Sequence, residues 1–125
     1  MNADDKQTFG KPGSSAAVDA VLVYATFPTM AVAEAVAADI VSEGLAACAN
    51  ILPALVSIYI WEGRLQREQE VAVVMKTRRT LAERMVARVK GLHPYANPAI
   101  LVLPVTGGSA DFLDWIRQQT VPPQG

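Results

Sequence analysis

The stretch LAACANILPALVSIYIWEGRL, residues 45–65, is rich in strand formers yet interrupted by Pro53. Proline cannot donate to a β-ladder, so it marks a bulge, a bend or an edge. From Leu55 the side chains alternate: Leu55, Ser57, Tyr59 and Trp61 share one face, and Val56, Ile58 and Ile60 share the other. Neither face is polar, so both are predicted to be covered. EGRLQREQE (62–70) is polar with one glycine, which suits the tip of a long hairpin, and VAVVMKT (71–77) returns as its second strand.

Upstream, AVLVYATF (20–27) reads as a strand covered on both faces. Pro28 and Thr29 break it, and Thr29 is placed to cap a helix whose apolar stripe is Ala33, Val36, Ala37, Ile40 and Val41. Gly44 stops that helix. Downstream, RRTLAERMVARVKGLHP holds a second helix with capping-box spacing at Thr80 and Glu83, a stripe of Leu81, Met85, Val86 and Val89, and an end at Gly91. AILVLPV (99–105) is the last core strand. Ser109 then caps a terminal helix with Phe112, Leu113 and Ile116 facing inward. The order β-α-β-β-α-β plus a terminal helix predicts an α+β, ferredoxin-like fold with an antiparallel sheet and both main helices on one face. Such a sheet leaves its other face open, and a partner subunit is the simplest cover for the apolar hairpin.

The totals bound the function. At 125 residues with half of them apolar (51%), the chain is one domain able to build its own core. We expect a disordered leader over 1–18, a single domain over 19–120 and a disordered tail over 121–125. A net charge of −1 without a basic block argues against nucleic acid or a membrane as partner. The start lacks a secretory h-region and no apolar run would span a bilayer, so the chain reads as cytoplasmic and soluble. A lone cysteine, Cys48, excludes an internal disulfide and a multi-cysteine zinc site.

LHPYANP (92–98) holds the only histidine, His93. Three roles stand open for it: metal ligand, general base, or a polar residue where a helix stops before Pro94 and Pro98 fix the entry to the next strand. Cys48 is a small core hydrophobe or a soft Cu(I) ligand. Tyr59, Trp61 and Glu62, with Lys76, Thr77 and Tyr95, are candidates for an intersubunit pocket. Lys76, Arg78 and Arg79, near one helix start, are candidate contacts for an anion, and Lys76 alternatively pairs with Glu62 across a subunit boundary.

LAAC-N-I-P, S-Y-WEG, KT before a helix and HPY--P, in this order over about residues 20 to 119, resemble the CutA family of divalent-cation tolerance proteins. The resemblance implies a ferredoxin-like subunit in a tight homotrimer, akin in shape to the PII signalling trimers. It also implies a link to tolerance of copper and other divalent ions and no enzymatic activity. In bacterial members discussed as copper binders, a first-strand cysteine and two adjacent histidines before PY form the ligand set. This chain has Ala25 in that strand, Leu92 beside His93, and Ala96 where many relatives carry an acid or amide after PY. A copper or other divalent cation would be held weakly, at His93 or Cys48, and no cofactor is required. The alternative is a PII-like sensor binding a small anion in the intersubunit cleft. A hydrolase of the acylphosphatase kind would need an arginine in a Gly-rich loop after the first strand, where this chain has TFPTMAV.

Overall fold

A computed structural model describes residues 18–122. The expected leader, apart from Val18, lies outside the described residues. The elements run β1 (Val21–Phe27), α1 (Met30–Ser42), β2 (Cys48–Trp61), β3 (Arg64–Thr77), a 3₁₀ turn (Arg79–Leu81), α2 (Ala82–Leu92), β4 (Ile100–Pro104) and α3 (Ala110–Gln119). The four strands form one antiparallel sheet in the order β2-β3-β1-β4. This is the α+β, split βαβ arrangement that the element order predicts.

Alternation along the strands selects which side chains meet the helices. Val21, Val23, Ala25 and Phe27 of β1 and Val71, Val73 and Met75 of β3 are in register, and they pack with Ala33, Val36, Ala37 and Ile40 of α1 and Met85 and Val89 of α2. Each large aliphatic side chain buried this way contributes about 1.5–3 kcal/mol. The intervening residues Leu22, Tyr24, Val74 and Lys76, with Leu101 and Leu103 of β4, lie on the opposite face, which no helix of the core cluster covers. Leu101 and Leu103 are accordingly exposed.

Pro53 does mark a bulge: the β2–β3 register shifts between Leu52 and Leu55, and Ala54 takes a φ of 64°. The one extra residue reverses the parity of β2. Before the bulge Ala49 and Ile51 oppose Met75 and Val73 on the helix-covered face; after it Val56, Ile58 and Ile60 continue that side, opposite Gln69, Arg67 and Leu65. The hairpin tip is not the nine residues read as polar. It is Glu62 and Gly63 alone, at φ 50° and 77°, the two positive-φ positions of a type I′ turn. Arg64–Glu70 belongs to β3. Its polarity reflects exposure rather than a loop, because β1 pairs with β3 only over Val71–Thr77. The remainder of the hairpin is a two-stranded ribbon projecting about 20 Å past the sheet.

One terminus prediction holds and the others change. Thr29 caps α1, its hydroxyl accepting from the Val32 N–H. Thr80 does not cap α2: the 3₁₀ turn takes that place, and the residue preceding the helix is Leu81, buried in the core. Helix α2 also runs through Gly91 to Leu92, with His93 as the first extended residue. In α3, Ser109 makes no side-chain cap bond and Phe112 is exposed, stacked on Trp115 at 5.4 Å, while Ile116 is buried against Ala20 and Ala47. Val121, expected in a disordered tail, donates its N–H to Gly44 O at 2.9 Å and packs on the core.

Candidate functional site

The end of α2 delivers His93 onto β1. Its ring is buried, lies 4.6 Å from the Phe27 ring at 20°, and has Nε2 2.7 Å from Thr26 O. The Tyr95 N–H donates to Nδ1 at 3.1 Å. Both ring nitrogens are therefore engaged by backbone. That leaves no free lone pair for a general base and explains how LHPYANP closes on the sheet.

Tyr95 follows with its ring 4.9 Å from His93. Burial raises the phenol above its ordinary pKa of 10.0, and the Glu70 carboxylate, Tyr59 and Glu68 add to the shift. Glu70 in turn accepts from the Ser57 hydroxyl at 2.6 Å. Tyr59, Ser57, Glu68 and Glu70 share one face of the ribbon, so two phenols and two carboxylates form an acceptor-rich wall there. Glu68 and Glu70 are not among the sequence candidates, because the polarity of 62–70 suggests a loop; Ser57 is placed beside Tyr59 by alternation but without its carboxylate partner. Extended as a strand, the i, i+2 spacing of the two glutamates would have placed them together.

Lys76 lies at the other end of β3, paired with Cys48. Its Nζ donates to Asn50 Oδ1 and to Cys48 Sγ, the latter at 3.6 Å. Glu62 is about 40 Å away along the hairpin at the rise of a strand, so a Lys76–Glu62 pair cannot form within one chain. Thr77 is fully buried and its hydroxyl donates to Leu45 O at 2.6 Å. Arg78 caps the end of α3: Nε donates to Thr120 Oγ1 at 2.9 Å and Nη2 to Arg117 O at 2.6 Å. The basic cluster is thus dispersed, with Arg79 alone exposed.

Of the predicted pocket residues, one subunit brings Tyr59 near Tyr95; Trp61 and Glu62 stand at the ribbon tip, Lys76 and Thr77 at its root. His93 and Cys48 belong to no group of three or more His, Cys, Asp or Glu side chains suited to a metal, among the described residues. A groove of about 400 Å³ lies beside Cys48 instead, between α1 and edge strand β2, lined by Glu34, Ala37, Ala38, Val41 and Ile51. Its walls are mostly apolar.

Comparison with known proteins places this architecture. The family model of the CutA1 divalent ion tolerance protein matches residues 21–119. The divalent-cation tolerance protein CutA of Salmonella newport (strain SL254) is 44% identical over 99 residues, covering 79% of this chain and 86% of that protein. The chloroplastic protein CutA of Arabidopsis thaliana is 40% identical over 107 residues; the match covers 86% of this chain but only 59% of that relative. The structure of the periplasmic divalent cation tolerance protein CutA from Archaeoglobus fulgidus superposes with a TM-score of 0.78 at 35% identity, covering 80% of this chain and 97% of that one. These compartments overturn the cytoplasmic assignment, since a chloroplastic and a periplasmic relative share the fold. The composition of a shared domain does not encode its address. With a family model spanning nearly all the described residues and relatives above 40% identity, the chain belongs to the CutA1 divalent ion tolerance family.

Proposed function

We propose that the chain is the subunit of a homotrimer that serves divalent-cation tolerance without catalysing a reaction. The observation behind this reading is the ribbon. Leu65 is 71% exposed, Ile58 66%, Ile60 65% and Trp61 62%. Isolated two-stranded hairpins are marginal in water, and an apolar ribbon of this length requires a cover. The open sheet face, with Leu101 and Leu103, offers a matching apolar surface on a second copy. Three copies is the count that the family resemblance implies.

In such an assembly the tip of one ribbon carries Trp61 and Glu62 over the face of a neighbour that bears Lys76 and Tyr95. The candidate pocket is then a property of the trimer, with Thr77 behind its wall. An anion sensor is less well supported, because Arg78 already caps α3 and Lys76 is held by Asn50. The ligand set implied for copper does not fit: Ala25 is a core residue, Leu92 stands beside His93, and both His93 nitrogens are engaged. Light scattering across dilution tests the assembly. A mass of three 13.4-kDa chains is expected down to low micromolar concentration, and a folded monomer there would overturn it.

A further inference from the structure

We propose that His93 is a positioning residue, a neutral Nε2–H imidazole that clips the 92–98 loop to β1, and that this chain holds no divalent cation on that ring. The inference rests on geometry within one subunit and stands whatever the oligomeric state.

The two partners leave one tautomer. Thr26 O can only accept, so Nε2 must carry the proton; the Tyr95 N–H can only donate, so Nδ1 must be bare. A metal-bound histidine commonly donates its other N–H to a backbone carbonyl, and the Nε2–H···O bond to Thr26 is half of that arrangement. The other half is taken. The Nδ1 lone pair that a metal would use accepts the Tyr95 amide at 3.1 Å. Coordination at Nδ1 must therefore release Tyr95, and coordination at Nε2 must strip a buried carbonyl of its partner.

The surroundings add no compensation. The ring is stacked on Phe27 and 8% exposed. Its sequence neighbour is Leu92, Ala25 is wholly buried in the core, and no three-residue ligand group forms among the described residues. Bringing three copies together would gather three rings whose nitrogens are already engaged. What the clip achieves instead is placement. With the backbone of Tyr95 tied to His93, the phenol is carried to the Glu68–Glu70 wall of β3.

The test uses the full chain labelled with ¹⁵N-histidine and long-range ¹H–¹⁵N NMR. The Nε2–H pattern is expected, unmoved by one equivalent of Zn(II) per chain. An Nδ1–H pattern, or a stoichiometric shift of Nδ1 with Zn(II), would overturn the proposal. Hydrogen exchange of the Tyr95 amide in variants separates positioning from bulk stability. His93→Asn, which keeps an acceptor near the Nδ1 position, should retain protection that His93→Gln loses by about tenfold. Equal exchange in Asn and Gln variants would refute the clip. Should a variant fail to fold, the labelled wild-type spectrum decides the question alone.

Discussion

Thr77 ends β3 beyond the reach of water, and its hydroxyl depends on Leu45 O, 32 residues earlier. Thr77→Val keeps the shape and orphans that carbonyl, so a loss of about 1–3 kcal/mol is expected in urea unfolding. Tyr95 makes a different prediction. Its folded pKa lies above the ordinary 10.0, so the folded state holds the proton more tightly than the unfolded one. The stabilisation it gives is complete below the unfolded value and is lost as pH rises through the folded value. Tyr95→Phe should therefore lose less stability than the wild type between about pH 9 and 11, measured as the unfolding midpoint against pH. Neither partnership was legible in the sequence. Thr77 and Tyr95 could be marked as candidates from residue type and motif, but their partners lie on elements joined only by folding. His93 is similar: LHPYANP announced a helix stop, while the Thr26 carbonyl and the Phe27 ring that settle its chemistry come from β1.

Among elements, the hairpin separates what pattern reveals from what it hides. Pro53 disclosed the bulge because it removes a donor from the ladder. The tip was misplaced because Arg64–Glu70 is a polar strand, and polar strands resemble loops by composition. The Glu62-Gly63 pair was the better signal, since only a two-residue turn needs two positive φ values. Thr80 failed as a cap for a related reason: Leu81 is drawn into the core, and the chain tightens into a 3₁₀ turn to place it. Gly44 stops α1, as its residue type suggests, but its full task involves Val121. At φ +75° an added Cβ would stand 2.6 Å from Val121 Cγ1. Gly44→Ala should cost about 1–3 kcal/mol from backbone strain and displace the C-terminal segment, visible as faster exchange of the Val121 amide.

For the whole molecule the question is what covers the ribbon. Ile58→Lys with Leu65→Lys adds charge where the ribbon is most exposed, at 66% and 71%. A buried, unpaired charge is costly in an interface, whereas a free ribbon tolerates it. The double variant is expected to scatter as a single chain and to unfold at lower temperature; a mass unchanged from that of the unsubstituted protein would place the interface elsewhere.

By itself the sequence determined the order of elements, most of the core stripes (Val41 and Phe112, read as inward, are exposed) and the family, because periodicity, proline and motif spacing act locally along the chain. Tertiary structure alone decided that His93 has no free nitrogen, that Arg78 serves α3 and that Lys76 is held by Asn50. Those outcomes depend on which strands lie side by side, and hydrogen bonds between distant segments take their direction from that register.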